Sequence, residues 1–534
     1  MNMKNLQSLV LGTLATIVVA GAEDPALRRK YIGHGWDLLA VSPEEVLAHA
    51  DAFDASGLDG VSLMLRGTLP DGKHISHSTI MNDAPWPREA LKAKIPVFRE
   101  IVKHPGLKES FLSSWWAPHT RLAWTNDAAW ANFAANMGTV AWLAKEGGLR
   151  GILVDGEDYP NSRQYTRLAG DPSYDEAAKL ARTRGAQVFG AIFREYPDIT
   201  FLSFWMLSIT PSYFYCEDPL DAARSRNDLW PAFLNGMLDV MPPTARFVDG
   251  NEHAYRYEAE KGEFFESASL QRSRALGLIA PENRAKYRAG LLAGFGLYLD
   301  SYVNPTNSHW YFGPVNGTRL AHFEQNLAQA TRAADEYIWI YGEKKSWVPW
   351  KNTQRARRYE TNGTWEVSLP GFSDVLLRTK APSVYLDRRF AALTADPSAT
   401  NLAAGVKYGT WQDEKRAQGR FYKEGGARVI ESSGNGCYTV PIANVTPGET
   451  YAVEVTARGD AATASCYWQK NGVWQWFLGG THLTLSPTPD GRRRGRGFLQ
   501  VPQGADKFLV LLGANLEPGE KVFFDDLRVY RLSK

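Results

Sequence analysis

The chain has 534 residues, 44% hydrophobic and 22% charged, an ordinary globular mix that excludes a disordered or fibrous protein. Lys and Arg total 60 against 58 Asp and Glu, and a formal charge of +2 leaves no electrostatic footprint for nucleic acid. Three Cys exclude a small disulfide scaffold, and 18 Trp point to stacking surfaces beside a large aromatic core.

Residues 1–22 combine Lys4, an apolar run from Leu9 to Ala20 and the small residues Ala20-Gly21-Ala22. That pattern predicts a secretory signal peptide cut near Ala22 and a mature chain that is secreted or periplasmic. The run is short for a bilayer span, and no later segment reads as one.

Residues 23–398 alternate apolar runs with helical patterns. The predicted strands are Tyr31–Leu39, Gly57–Leu65, Phe111–His119, Gly148–Tyr159, Ile199–Met206, Ala245–His253, Gly290–Tyr302 and Tyr337–Lys344. Helical patterns fall between them at Ser42–Ser56, Asp127–Glu146, Ser173–Tyr196 and Phe323–Glu336, with Thr361–Leu393 completing the unit. Ser42-Pro-Glu-Glu suits a helix start, because Pro fits the first turn and acids suit the dipole. Eight strand–helix units in series predict an α/β fold, a (β/α)8 TIM barrel, with a doubly wound open sheet as the alternative.

Residues 399–534 change texture to short alternating strands with turn signals, the pattern of a β-sandwich. The predicted strands are Cys437–Ile442, Tyr451–Thr456, Ala464–Trp468, Phe498–Val501, Lys507–Leu512 and Lys521–Tyr530. Arg492–Arg496 reads as a solvated hairpin tip after Pro489-Asp490-Gly491. Cys437 and Cys466 could pair in an oxidising compartment, whereas Cys216 has no evident partner. Trp468, Trp474 and Trp476 are either surface platforms or core.

Barrel active sites lie at the C-terminal ends of the strands. In order, the predicted ends offer Trp36 and Asp37; Arg66; Trp116 and His119; Asp155, Glu157 and Tyr159; Trp205; Asp249, Glu252 and His253; Asp300, Tyr302 and Trp310; and Glu343. Aromatic faces stack on pyranose rings, and two carboxyl groups can flank a glycosidic bond as acid and as base or nucleophile. Asp155, Glu157, Glu252 and Glu343 are the catalytic candidates, and the others are candidates for substrate binding. Asp155-Gly-Glu157 is the sharpest signal, since it closes the apolar run Gly151–Val154 and alternation turns both acids the same way. His34, His119, His253 and His309 could serve near neutral pH, though each alone reads more simply as structural.

The barrel resembles the glycoside-hydrolase type found in secreted bacterial polysaccharide-degrading enzymes. Asp155-Gly-Glu157 is similar to the terminal Asp-x-Glu of the chitinase-like family, which implies Glu157 as general acid and Asp155 as the residue orienting a substrate acetamido group. The longer acidic run of that family is replaced here by Gly151-Ile-Leu-Val154. A second carry-over, from barrels with the acid on strand four and a nucleophile on strand seven or eight, implies Glu157 with Glu343, and Glu252 as substitute. Val445–Thr456 and Lys521–Tyr530 resemble strands of jelly-roll carbohydrate-binding modules. The expectation is a secreted glycoside hydrolase acting on a polysaccharide or glycan without a catalytic cofactor. A structural Ca²⁺ near Asp525 or Asp526 is compatible with the sequence, which gives no full ligand set. The alternatives are a non-catalytic carbohydrate-binding barrel and a metal-assisted hydrolase using His119, His253 and Asp249. No Gly-x-Ser-x-Gly elbow supports a serine esterase.

Overall fold

The computed structural model describes residues 29–350, 363–414, 418–432 and 434–533. The predicted signal segment, 1–22, lies outside the described residues, as does the start of the Thr361–Leu393 region. No helix among the described residues is long and apolar enough to cross a membrane.

Eight predicted apolar runs all become parallel strands. They are β1 (Lys30–Gly35), β2 (Gly60–Leu63), β5 (Phe111–Trp115), β6 (Gly151–Asp155), β7 (Thr200–Ser203), β8 (Arg246–Asp249), the pair β9 (Leu291–Ala293) and β10 (Phe295–Tyr298), and β11 (Tyr337–Gly342). Between β2 and β5 lies a small hairpin, β3 (Arg66–Thr68) and β4 (His74–Ser76). The sheet order is β10-β11-β1-β2-β5-β6-β7-β8-β9. β9 and β10 are halves of one stretch flanking Gly294; the first pairs with β8 and the second with β11. Pairing therefore passes around the ring, which excludes the open doubly wound sheet. Each strand stops earlier than its apolar run, because the C-terminal part of each run leaves the ladder as loop.

The helices form the outer layer. Asp127–Glu146 matches its predicted span, and Tyr174–Glu195 lies one residue inside its own. Both Pro43–Leu47 and Tyr174–Glu195 start with capping boxes, Ser42 with Glu45 and Ser173 with Glu176. Ser42–Ser56 is two helices, Pro43–Leu47 and Ala50–Ser56, and Phe323–Glu336 is shifted to Arg319–Ala333. Helices Trp365–Ser368, Phe372–Lys380 and Pro382–Ala395 follow β11.

The remainder is two antiparallel sheets. One contains β12 (Gly409–Gln412), β15 (Gly436–Ala443), β22 (Lys507–Ala514), β17 (Ala462–Lys470), β18 (Val473–Trp474) and β19 (Gly480–Leu483). The other contains β13 (Arg420–Glu424), β14 (Ala427–Glu431), β23 (Lys521–Ser533), β16 (Thr450–Arg458), β21 (Arg493–Gln500) and β20 (Ser486–Pro487). Inward residues such as Val453, Val455, Phe508 and Val510 fill the core between them. The Asn401 side chain accepts from Val529 N and donates to Leu527 O, pinning the start of this unit to its last strand.

Two expectations are corrected here. Cys437 and Cys466 are not bonded. They sit on β15 and β17, which flank β22 opposite Gly513 and Val510. Two strand spacings separate them by roughly 10 Å across the sheet, and the three-residue offset along β22 adds about as much lengthwise, which is beyond disulfide reach. Arg493–Arg496 is not a free tip but the start of β21. Arg493 pairs with Asp460, and Arg496 pairs with Glu454 and with Asp387 of the barrel's last helix. Tyr385, Leu386 and Phe390 of that helix pack on Ala452 and Tyr530 beside this pair.

Candidate active site

β6 ends at Asp155, and Gly156 then allows the chain to turn against the Trp205 indole. A Cβ on Gly156 would lie 2.8 Å from that ring. The turn is fixed by Glu157 N donating to Asp155 Oδ1 at 2.8 Å and by Trp115 Nε1 donating to the Glu157 carbonyl at 2.7 Å. Glu157 then accepts from the Tyr159 hydroxyl, although Tyr159 itself is 69% exposed. Glu252 begins a 3₁₀ turn after β8 and accepts from Trp205 Nε1 at 2.8 Å. Glu343 follows β11; its N–H donates to Asp300 at 2.7 Å and its carboxylate accepts from Tyr341 at 3.1 Å.

These three glutamates, from the fourth, sixth and eighth barrel positions, line one cavity of about 420 Å³. Tyr255, Tyr298, Tyr341 and Trp310 wall it. The three tyrosine rings lie nearly parallel, with centroids 5.2–6.0 Å apart. A neighbouring cavity of about 560 Å³ runs past Tyr165, Tyr213, Trp205 and Trp230. Glu157 and Glu252 line both cavities, so the carboxylates stand where the two halves of the cleft meet.

Burial and mutual repulsion disfavour ionisation of Asp155, Glu157 and Glu252. Burial, with the charges of Glu157 and Asp155, pushes Glu252 up to about 8. Burial and the Glu157 charge push Asp155 up to about 7, against the hydrogen bond from Glu157 N. Glu157 is also raised, by burial and by Glu343, while the Tyr159 hydrogen bond works the other way. At neutral pH the arrangement therefore holds a proton, and Glu252 keeps it most firmly.

Other expected site residues have different surroundings. Asp37 is buried and accepts from Trp347 N and Trp350 Nε1, so it anchors the segment after β11. Asp249 is buried and accepts from Met206 N, Ser208 N and Ser208 Oγ, bracing the loop after β7. Among the described residues, Asp249 does not come together with His119 and His253 as a group of potential metal ligands. Asp300 positions Glu343 through its N–H. Trp116 is fully buried against Phe133, Phe189, Phe201 and Phe233 in the helix layer, and Tyr302 is buried with its hydroxyl on Asn326. Neither residue faces the cleft. Arg66 donates to the Leu39 carbonyl and lines neither cavity. His119 is exposed against Trp115, and Trp36 is exposed at the rim with Nε1 on the Tyr341 hydroxyl. Of the remaining candidates, Tyr159, Trp205, His253 and Trp310 do line the cleft. His34 bonds Ser62 beneath Tyr341, and burial pulls it down to about 3, so it stays neutral.

Tyr341, at the predicted end of the eighth strand in Tyr341-Gly-Glu343, does line the cavity, whereas sequence reasoning missed Tyr255, Tyr298 and Arg256. Tyr298 is the last residue of β10, so an accurate strand end would have found it. In the sandwich, Trp468 is core, whereas Trp474 and Trp476 stack at 4.8 Å beside Phe477. Trp476 is 60% and Phe477 83% exposed. Asp525 pairs with Arg458 and Asp526 with Arg528.

No protein-family model and no curated protein sequence matches the chain. Among solved structures, a glycoside hydrolase aligns over 90% of this chain and 92% of its own, at 9% identity and a TM-score of 0.32. A glycoside hydrolase family 5 enzyme from Prevotella bryantii B14 aligns over 66% of this chain and 97% of its own, at 8% identity and a TM-score of 0.33. A family 4 carbohydrate-binding module covers 25% of this chain and 93% of its own, at 18% identity and a TM-score of 0.19. The barrel and the sandwich stand on their own strand pairing.

Proposed function

We propose that the chain is a glycoside hydrolase with an appended sugar-holding sandwich. The carrying observation is that Glu157 and Glu252 meet at the junction of two aromatic-walled cavities while burial keeps Glu252 protonated near neutral pH. A glycan threaded through the cleft then places a sugar in each half and the glycosidic bond at the acids. Glu252 donates its proton to the leaving oxygen as the C–O bond breaks. Ionised Glu157 serves the anomeric carbon, as base toward water or as nucleophile. Glu343, held by Asp300, and Tyr341 bind hydroxyls beside them. This division departs from the expectation that Glu157 is the acid, because Glu252 has the greater burial-driven hold on a proton.

A non-catalytic barrel needs its strand-end acids to point apart, and they share a cavity. The stacked Trp474 and Trp476 with Phe477 offer the sandwich a platform for pyranose rings. The testing experiment is a panel of polysaccharides and aryl glycosides against wild type, Glu157→Gln and Glu252→Gln, with folding checked by circular dichroism. Turnover lost in both folded variants supports the reading; turnover retained in both refutes it.

A further inference from the structure

We propose that the cleft takes an acidic glycan, with Arg256 receiving a substrate carboxylate or sulfate; this rests on the glycosidase reading of the same site. The three glutamates of the 420 Å³ cavity would repel an anionic sugar unless a fixed cation answered them. Arg256 lines that cavity and ends the same 3₁₀ turn that begins with Glu252, so acid and guanidinium are held by one short element. Its guanidinium stacks on Trp310 at 4.3 Å and makes no ion pair or hydrogen bond among the described residues. Stacking fixes the plane of the fork while leaving its N–H groups open to a planar anion.

The other half of the cleft also holds an arginine without a side-chain partner among the described residues, Arg163, which lines the 560 Å³ cavity. It sits on a loop held in an unusual conformation, with Asn161 at φ 55° and Arg163 at φ 50°. Asp158 braces that loop by accepting from Ser162 N, Ser162 Oγ and Arg163 N. Strain of this kind persists where surrounding bonds over-determine it. Arg226, in the same cavity, is already engaged, stacked on Tyr213 and bonded to Ser212. The formal charge of only +2 supplies no general attraction for polyanions, so preference for an acidic chain has to come from these local cations.

The test measures kcat and KM of the full chain, and binding in the Glu157→Gln background by affinity electrophoresis. Paired probes separate the two anion sources: hyaluronan against carboxyl-reduced hyaluronan, and κ-carrageenan against agarose. Within at least one pair, the acidic member is expected to bind more tightly, by a margin that shrinks with added salt. Arg256→Gln is expected to weaken that binding about tenfold and to remove most of the preference, whereas Arg256→Lys restores only part of it. Arg288→Gln, on helix Arg284–Gly290, is the control. If neutral members bind and turn over as well as acidic ones, or if Arg256→Gln keeps the preference, the inference falls while the glycosidase reading stands. If no glycan is hydrolysed, that reading falls, and the binding comparison alone decides the inference.

Discussion

The barrel mouth and the sandwich tip both expose aromatic rings, yet only the mouth sets acids among them. At the mouth, Tyr255, Tyr298, Tyr341 and Trp310 surround three glutamates. At the tip, Trp476 and Phe477 stand exposed, Trp476 stacked on half-buried Trp474, without such a cluster among the described residues. Rings alone can hold a sugar; rings with buried, mutually repelling carboxyls can break its bond. The lesson extends to acids at the mouth itself. Asp37 and Asp249 also lie at or just past strand ends, but each accepts from donors on distant segments, Asp37 through Oδ2 from Trp347 N and Trp350 Nε1 and Asp249 through both oxygens, so they hold the scaffold. Glu157 and Glu252 face space.

Mutations can break this comparison in descending order of effect. Glu157→Gln and Glu252→Gln should each lower kcat on a natural glycan by about a thousandfold, the scale of a lost acid or base. Asp249→Ala should destabilise the chain by about 3 kcal/mol, read by denaturant midpoint, because it orphans buried donors. Trp476→Ala should weaken binding to insoluble polysaccharide about tenfold in a depletion isotherm, the scale of one exposed stacking contact. Equal losses of kcat at mouth and tip would end the distinction between chemistry and holding.

The smallest effect concerns stability. A carboxyl whose folded pKa is raised costs stability as pH climbs from its unfolded value, near 4.5, through about 8. Below that window both states are protonated and the cost vanishes. Glu252→Gln should therefore stabilise the fold by about 1–2 kcal/mol at pH 8 and scarcely at pH 4. The melting temperature at the two pH values checks this.

Barrel strands were legible because buried parallel strands read as continuous apolar runs. Their ends were less so, since the runs continue into loops, which hid Tyr298. Trp116 misled for a different reason. Alternation puts it on the same side as Ser114, to which its Nε1 donates, and this side faces the helices. Asp37 and Asp249 could not be told from Glu252 by pattern, since what separates them is which distant backbone N–H groups arrive. Edge strands such as Gly409–Gln412 and Arg420–Glu424 carry little apolar alternation and left no signal. Arg163 and Arg256 lie on loops and turns whose positions depend on tertiary packing.

Proton donation by Glu252 is tested most directly by varying the leaving group. The account predicts that Glu252→Gln loses activity on a natural glycan yet recovers most of kcat/KM with 2,4-dinitrophenyl glycosides, whose departure needs no proton, and that its decline above pH 8 disappears. Recovery confined to Glu157→Gln, with Glu252→Gln equally impaired on both kinds of substrate, would contradict it.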